Sequence, residues 1–293
     1  MEADFVTLPK LQLRDGTRIY YEVEGSGETN CVLLGGGLLG RHNFPPIVYS
    51  ELAKHYRVLS FDQRGYGMSD KPSQAYTIDL WTDDIARVLD ELKIPRAYVI
   101  GTSVGGVLAL RFAAKYPERT IAVVADVPIA RPDNMRKIMF ANWRKIALVA
   151  GVGELFADVI ITYNVGAKYL EGAGAENVRK SIRELLAGTP VETVVQVCKM
   201  MEELDITEDL RKIRAPSLIM GTAGDVVSPL CMEESGVGGR KVAQMIPGAT
   251  LKVWEGIGHA DMIEIPEQSV EYVIKFLAEL EKLERDRTDS QRI

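Results

Sequence analysis

Short, wholly apolar runs alternate along this chain with longer stretches that are apolar on one side only. Residues 31–34 form the clearest run, since all four are apolar, as expected of a strand buried on both faces. Residues 77–92 form the clearest amphipathic stretch, because their apolar side chains recur at helical spacing. Alternating strands and helices predict an α/β fold: a mostly parallel central sheet with helices on both faces.

The remaining predicted elements continue this alternation. Residues 10–13 and 18–23 predict a β-hairpin across an Asp-Gly turn. Further strands are predicted at residues 57–61, 97–100, 121–125, 217–220 and 251–254, and further helices at residues 104–116 and 266–280. The highly charged chain after residue 281 is expected to fray.

Between residues 131 and 208 the alternation stops. This stretch shows helical patterning, interrupted by glycine and proline, and no convincing strand. The sequence therefore predicts a core of residues 1–130 and 209–293 and a helical insertion of residues 131–208. A plain helical extension of the core is the alternative.

The composition excludes several classes of protein. Hydrophobic residues make up 46% and charged residues 26% of the 293, which is typical of a globular chain rather than a disordered one. The net charge of −6 gives no indication of a nucleic-acid partner, because nucleic-acid binders usually carry a basic domain.

Three widely spaced cysteines form neither a zinc pattern nor a disulfide framework. We find no signal peptide and no apolar window of about 18 residues. We therefore predict a cytoplasmic protein with no metal, cofactor or membrane partner; its oligomeric state stays open.

The sharpest local pattern is G-x-S-x-G, formed by Gly101, Ser103 and Gly105. It lies directly between a predicted strand and a predicted helix, which is the setting of a nucleophile elbow. The turn is so tight that side chains on either side of the serine would collide, and the helix start offers unpaired N–H groups to developing negative charge. The alternative is a glycine-rich turn with a solvated serine.

A serine hydroxyl needs a base to become a good nucleophile. Of the three histidines, His259 lies between the last predicted strand and the last predicted helix. Loops in that position share the carboxyl edge of a parallel sheet with Ser103, so His259 is the predicted general base. His42, after a glycine loop, is a candidate neighbour of the substrate, and His55 is interpreted as structural.

The base needs a carboxylate to orient it. Asp225 follows the predicted strand at residues 217–220 and is the leading candidate; Asp126, which ends the strand at residues 121–125, is its rival. For the oxyanion hole we predict the N–H groups of Val104 and Gly37, with Leu38 as the alternative to Gly37. A phosphate-binding loop at these glycines is disfavoured, since no G-K-[ST] follows them.

Taken together, these residues resemble the α/β-hydrolase fold superfamily along most of the chain outside the insertion. The resemblance is carried by residues 32–37, 61–70 and 101–105, by the loop of Asp225, and by His259 with Glu264 and Pro266 after it. Within the superfamily, the chain is similar to small intracellular esterases, enol-lactonases and C–C bond hydrolases. The resemblance implies that residues 62–69 form a structural turn and that the insertion is a cap over the site.

One position departs from the family pattern. Family members commonly carry a histidine where this chain has Gly35, so a side chain that would brace the oxyanion loop is missing. The haloalkane dehalogenases and epoxide hydrolases of this fold use an aspartate nucleophile, a chemistry that Ser103 excludes.

Three functions follow from these residues. The leading one is a serine hydrolase that cleaves a small carboxylic ester or lactone through an acyl-enzyme on Ser103, with Phe140, Trp143 and Tyr163 as candidate pocket residues. The second is a thioesterase, C–C bond hydrolase or acyl-transfer or cyclisation enzyme of a biosynthetic pathway, in which the basic stretch of residues 131–145 meets a carboxylated substrate or an acyl carrier. The third, favoured by Gly35 alone, is a non-catalytic ligand-binding protein.

Overall fold

The computed structural model describes residues 9–290, which contain eight strands in one sheet, flanked by helices. The strands are β1 (Lys10–Gln12), β2 (Arg18–Glu24), β3 (Asn30–Leu34), β4 (Arg57–Phe61), β5 (Ala97–Thr102), β6 (Thr120–Asp126), β7 (Ser217–Thr222) and β8 (Thr250–Trp254). The helices are α1 (Pro46–Ala53), α2 (Ile78–Glu91), α3 (Val104–Lys115), α4 (Asn134–Ala150), α5 (Glu154–Asn164), α6 (Ala167–Leu170), α7 (Ala175–Ala187), α8 (Val191–Glu202), α9 (Thr207–Leu210), α10 (Gly239–Met245), α11 (Asp261–Glu264) and α12 (Pro266–Ser290).

The sheet has the strand order β1-β2-β4-β3-β5-β6-β7-β8. β1 pairs antiparallel with β2, and β2 pairs antiparallel with β4. Every later pair is parallel, from β4 with β3 across to β7 with β8. This confirms the predicted mostly parallel α/β fold. It also brings the carboxyl ends of β3, β5, β6, β7 and β8 to one edge.

Both faces of the sheet are covered by helices. Along β3, Val32 and Leu34 join one apolar core, whereas Cys31 and Leu33 join the other, as the two-residue period of a strand requires. Helices α2, α3 and α10 contribute to the first core, and α1 and α12 to the second. This double burial explains why the strands are apolar at nearly every position.

Six helices, α4 to α9, connect β6 to β7 within the described chain. α4 packs against α8, and α5 packs against α7. Phe140, Trp143 and Phe156 of this segment belong to the same buried apolar cluster as α2 and α3. The helices therefore lie directly on the core; the division of the chain at residues 131 and 208 stays a prediction.

Two features differ from the sequence-based expectation. The predicted fraying after residue 281 is wrong for the described residues, because α12 continues as a helix to Ser290. The charged residues there are mostly Glu, Lys and Arg, which are good helix formers. Helix α1, whose bounds the sequence pattern did not define, begins at Pro46, since proline is well suited to the first turn of a helix.

Among residues 9–290, no helix combines the length and the apolar character needed to cross a membrane.

Candidate active site

Ser103, His259 and Asp225 converge at the carboxyl edge of the sheet. The Ser103 Oγ lies 2.9 Å from Nε2 of His259, and Nδ1 of His259 lies 2.7 Å from Oδ2 of Asp225. Because a carboxylate can only accept, the ring must carry its proton on Nδ1. Nε2 is then free to accept the proton of the Ser103 hydroxyl, which is the arrangement a general base requires.

Ser103 occupies a strained turn between β5 and α3. Its φ of 55° lies in the left-handed region, which costs a residue with a side chain about 1–3 kcal/mol. The turn is held by the Ser103 N–H, which donates to the carbonyl of Asp126 at 2.9 Å. A methyl group at Gly101 would stand 2.0 Å from the carbonyl oxygen of Gly105, so the flanking positions admit only glycine.

Asp225 follows β7 and its side chain is fully buried. Its Oδ1 accepts the N–H groups of Val227 at 2.7 Å and Ser228 at 2.8 Å, while Oδ2 accepts the His259 ring. Three donors therefore compensate the carboxylate for the water it has lost. This arrangement fixes the Asp225 carboxylate next to Nδ1 of the His259 ring.

Asp126, the rival carboxylate, is buried elsewhere on the same edge. Its Oδ2 accepts the hydroxyl of Thr102 at 2.7 Å, and its side chain contacts the carboxyl group of Asp261 rather than the His259 ring. Burial, together with the negative charge of Asp261, raises the pKa of Asp126 well above its usual range. Asp126 is therefore poorly suited to stabilise an imidazolium.

The loop that is predicted to form part of an oxyanion hole follows β3. The N–H of Gly36 donates to Oδ1 of Asn43 at 2.9 Å, and the N–H of Gly40 donates to the carbonyl of Gly36 at 3.1 Å. Gly37 and Val104 both line the pocket. Across the described residues, the N–H groups of these two make no hydrogen bond to the protein, so they are available to a substrate oxygen.

The loop also explains the departure at Gly35. A methyl group there would stand 1.7 Å from the carbonyl oxygen of Gly40, so the loop has no room for a side chain. The brace comes instead from Asn43, whose amide side chain fixes Gly36. Asn43 lies in a short 3₁₀ turn that no motif in the sequence singled out.

A pocket of about 850 Å³, its open mouth included, lies between the loops of the sheet edge and the helices α4, α5, α7 and α8. The helices contribute mainly apolar side chains, namely Phe140, Trp143, Ile160, Ile182, Val197 and Met201. His259 is the one lining residue in the described chain that can carry a positive charge. The pocket is thus suited to an uncharged, apolar group.

Two residues expected near the substrate lie elsewhere. Tyr163 stands behind Trp143, edge to face at 5.6 Å between ring centroids, and does not line the pocket. His42 is exposed and outside the lining, which its neighbour Asn43 joins instead. Both predictions were wrong for the same reason. Adjacent side chains of a helix or turn point in different directions, so the neighbours Asn164 and Asn43 line the pocket in place of Tyr163 and His42.

The basic side chains of residues 131–145 do not line the pocket. Arg144 binds both carboxylate oxygens of Glu202, at 3.0 and 3.3 Å. Arg136 pairs with Asp133 at 3.4 Å, and Arg131 donates to the carbonyl of Ser235 at 2.9 Å. These three arginines therefore already have hydrogen-bond or ion-pair partners within the chain.

A half-buried carboxylate braces the loop that carries His259. Oε1 of Glu264 accepts the N–H groups of Gly166 at 2.8 Å and Gly258 at 3.1 Å. The N–H of Ala260 donates to the carbonyl of Asn164 at 2.9 Å. The loop is therefore tied to the ends of α5 and α6, so the position of these helices and that of the imidazole are coupled.

Cys198 is the pocket residue that could compete as a nucleophile. Burial raises the pKa of its thiol to about 12. The thiol stays protonated near neutral pH, and a protonated thiol is a weak nucleophile. Ser103 is therefore the better placed nucleophile in this pocket.

Comparisons with known proteins support the fold described above. The family model for the α/β hydrolase fold matches residues 31–153. A protein of Caulobacter sp. strain K31 with the name "putative carbamate hydrolase RutD" is 29% identical over 269 residues, covering 89% of this chain and 96% of its own.

Two solved structures are similar over nearly the whole chain. An enol-lactonase from Burkholderia xenovorans LB400 superposes with a TM-score of 0.81 at 26% identity, covering 92% of this chain and 100% of its own. A thermophilic esterase from Thermogutta terrifontis gives a TM-score of 0.81 at 25% identity, covering 93% and 99%. The chain therefore has the fold of the α/β hydrolases and is similar to hydrolases over most of its length.

Proposed function

We propose that this protein is a serine hydrolase that cleaves a small, uncharged carboxylic ester or lactone through an acyl-enzyme on Ser103. One observation carries the proposal: the Ser103 hydroxyl lies 2.9 Å from a ring nitrogen of His259 that the bond to Asp225 leaves free to accept. A serine with such a base, at the floor of an apolar pocket, is equipped for acyl transfer.

The reaction has two halves. Ser103 Oγ attacks the carbonyl carbon while its proton passes to Nε2 of His259, and Asp225 stabilises the imidazolium that forms. His259 then gives the proton to the leaving alcohol oxygen. In the second half, water gives a proton to His259 and attacks the acyl carbon, which releases the carboxylic acid and restores the Ser103 hydroxyl.

Negative charge develops on the carbonyl oxygen in both halves. The N–H groups of Val104 and Gly37 are the proposed donors, with Leu38 as the alternative to Gly37, since all three line the pocket beside Ser103. Loss of one such donor costs about 3 kcal/mol of transition-state stabilisation. The Asn43 brace on Gly36 supports a fixed position for this loop.

The pocket lining favours a neutral acyl group. Its helical side is apolar and the arginines of the basic stretch are paired outside it. A substrate carboxylate placed there would lose water without gaining a cation, which costs several kcal/mol. We therefore propose that carboxylate-bearing esters and lactones are poor substrates.

The alternative activities are weaker proposals. Thioester hydrolysis, C–C cleavage and acyl transfer could use the same three residues, but an acyl carrier would have to meet a basic surface whose arginines already bind this chain's own acceptors. A non-catalytic binding role is disfavoured because the position of Gly35 is explained by packing against Gly40.

A panel of matched substrates tests the proposal. The p-nitrophenyl ester of a short aliphatic acid should be hydrolysed, and the ester of an equally long acid that ends in a carboxylate should show a kcat/KM about 100-fold lower. The thioester of the same acid and a neutral carbamate complete the panel. Ser103→Ala, which keeps the fold, is the control and should be inactive on every member.

Two outcomes would overturn the proposal. One is turnover only of carrier-bound acyl chains or of the carboxylate-bearing ester. The other is full turnover of the neutral ester by the Ser103→Ala variant.

A further inference from the structure

Two buried carboxyl groups meet beside the proposed active site, and the reaction above uses neither. Asp126 ends β6, and Asp261 begins α11, two residues after His259; both are completely buried. Oδ2 of Asp126 accepts the hydroxyl of Thr102 at 2.7 Å, and Oδ2 of Asp261 accepts the hydroxyl of Ser269 at 2.9 Å. Each group is thus fixed by one hydroxyl from a neighbouring element.

The other oxygen of each group is buried and lacks a hydrogen-bond partner. Within residues 9–290 this holds for Oδ1 of Asp126 and for Oδ1 of Asp261, and the two carboxyl groups lie close enough that each shifts the pKa of the other. Two carboxylates cannot bond to each other, because each can only accept. A proton on one of the two supplies the missing donor.

We propose that Asp126 and Asp261 share one proton, held mainly by Asp126, and that this acid–carboxylate clasp is a positioning pair that fixes the His259 loop against the turn of Ser103. The clasp joins the two sides of the site directly. The carbonyl of Asp126 accepts the Ser103 N–H at 2.9 Å, while Asp261 belongs to the segment that follows His259.

The surrounding charges decide which group keeps the proton. The titratable groups that act on the pair are Asp225 after β7, His259 after β8, and Glu264 on α11. Burial raises the pKa of both carboxyl groups and each accepts one hydroxyl, but a backbone N–H also stabilises the charged form of Asp261, whereas the negative charge of Asp225 disfavours the charged form of Asp126. Asp261 is therefore the anion and Asp126 the acid.

This assignment predicts how stability changes with pH. In the unfolded chain, Asp126 ionises near pH 4, whereas in the folded chain it keeps its proton to a much higher pH. The folded state therefore binds one proton more than the unfolded state. Between these two pKa values, the equilibrium constant for folding falls about tenfold for each unit by which the pH rises. The Asp126→Asn variant has no ionisable group at this position, so its stability lacks this dependence on pH.

The first test compares Asp126→Asn with the wild type in urea unfolding from pH 5 to pH 8. The folding constant of Asp126→Asn relative to the wild type should rise by up to about tenfold per pH unit. Asp133→Asn is the matched control, since Asp133 is also buried but pairs with the cation Arg136, and it should follow the wild-type slope. Parallel slopes for Asp126→Asn and the wild type would overturn the shared proton.

Infrared spectroscopy gives an independent reading. The wild type at pH 7 should show the carbonyl band of a protonated carboxylic acid, and Asp126→Asn should lack it. Absence of the band from the wild type, or its survival in Asp126→Asn, would overturn the assignment.

The positioning role is tested by kinetics, and this part alone rests on the proposed function. Asp126→Ala, which opens the clasp, should lower kcat at least about tenfold with little change in KM, and Asp126→Asn should restore most of it because an amide can donate in place of the acid. The wild-type rate should also fall at alkaline pH, where the proton is lost, and Asp126→Asn should lack this fall. Equal rates and equal pH profiles in all three proteins would overturn the positioning role. The stability and infrared results do not depend on the hydrolase proposal and would remain valid if that proposal failed.

Discussion

The ends of β6 and β7 each present a buried aspartate to the same edge of the sheet, yet the two are held differently. At the end of β7, Asp225 accepts two backbone N–H groups and the His259 ring. At the end of β6, Asp126 accepts one hydroxyl and meets a second carboxyl group. Burial is almost equal at 5% and 0% exposure, so burial does not distinguish them.

The two aspartates differ in the number of hydrogen-bond donors that surround their carboxyl groups. A buried carboxylate is stable when hydrogen-bond donors replace its water, and it takes up a proton when they do not. Asp225 meets three donors, namely two N–H groups of the loop after β7 and the His259 ring, whereas Asp126 meets the hydroxyl of Thr102 on β5 and the carboxyl group of Asp261 on α11. An imidazolium can be stabilised only at the first of these two places.

The largest predicted effect comes from replacing each aspartate in turn. Asp225→Asn should lower kcat by about 10⁴, because the amide favours the wrong tautomer of His259. Asp126→Asn should stay within about threefold of the wild type at pH 7, since an amide mimics a protonated acid. Steady-state kinetics on one neutral p-nitrophenyl ester measures both, and the reverse ranking would show that the end of β6 holds the partner of the histidine.

A smaller effect should follow from weakening the hydrogen bonds that hold the loop of His259. Glu264→Gln weakens the bonds to Gly166 and Gly258, so the His259 loop should be held less firmly. We expect kcat to fall about tenfold, equivalent to about 1.4 kcal/mol, with KM nearly unchanged. Glu267→Gln, an exposed position in the first turn of α12, is the control. An unchanged kcat in Glu264→Gln would show that this brace is dispensable.

The smallest predicted effect concerns stability rather than rate. The donor to Asp126 is a side chain, so Thr102→Val should remove it and destabilise the fold by about 1 kcal/mol. Ser228 donates to Asp225 through its backbone N–H, so Ser228→Ala should leave stability within about 0.5 kcal/mol of the wild type. Urea unfolding at pH 7 compares the two variants, and equal losses would contradict the contrast.

Much of this arrangement could be predicted from the sequence because it depends on local periodicity and on one topological rule. Apolar runs separated by amphipathic stretches define strands and helices, and the carboxyl ends of parallel strands share an edge. Those two facts are enough to bring Ser103, Asp225 and His259 into one hypothesis. They leave Asp126 as a rival, since both aspartates end a strand.

What the sequence could not predict depends on contacts between distant segments. Asp126 and Asp261 are far apart in the chain, and no spacing marks them as partners. Asn43 braces the oxyanion loop from a 3₁₀ turn without periodicity. The tightness of the loop at Gly35 is likewise visible only in its packing against Gly40.

Covalent labelling of the Ser103 hydroxyl tests the central claim most directly. Intact-protein mass spectrometry after reaction with a fluorophosphonate should show one adduct, which peptide mapping places on Ser103. The adduct should be absent from Ser103→Ala, and it should form far more slowly in Asp225→Asn than in Asp126→Asn. A single adduct on any other residue, or unchanged ester turnover by Ser103→Ala, would contradict the account.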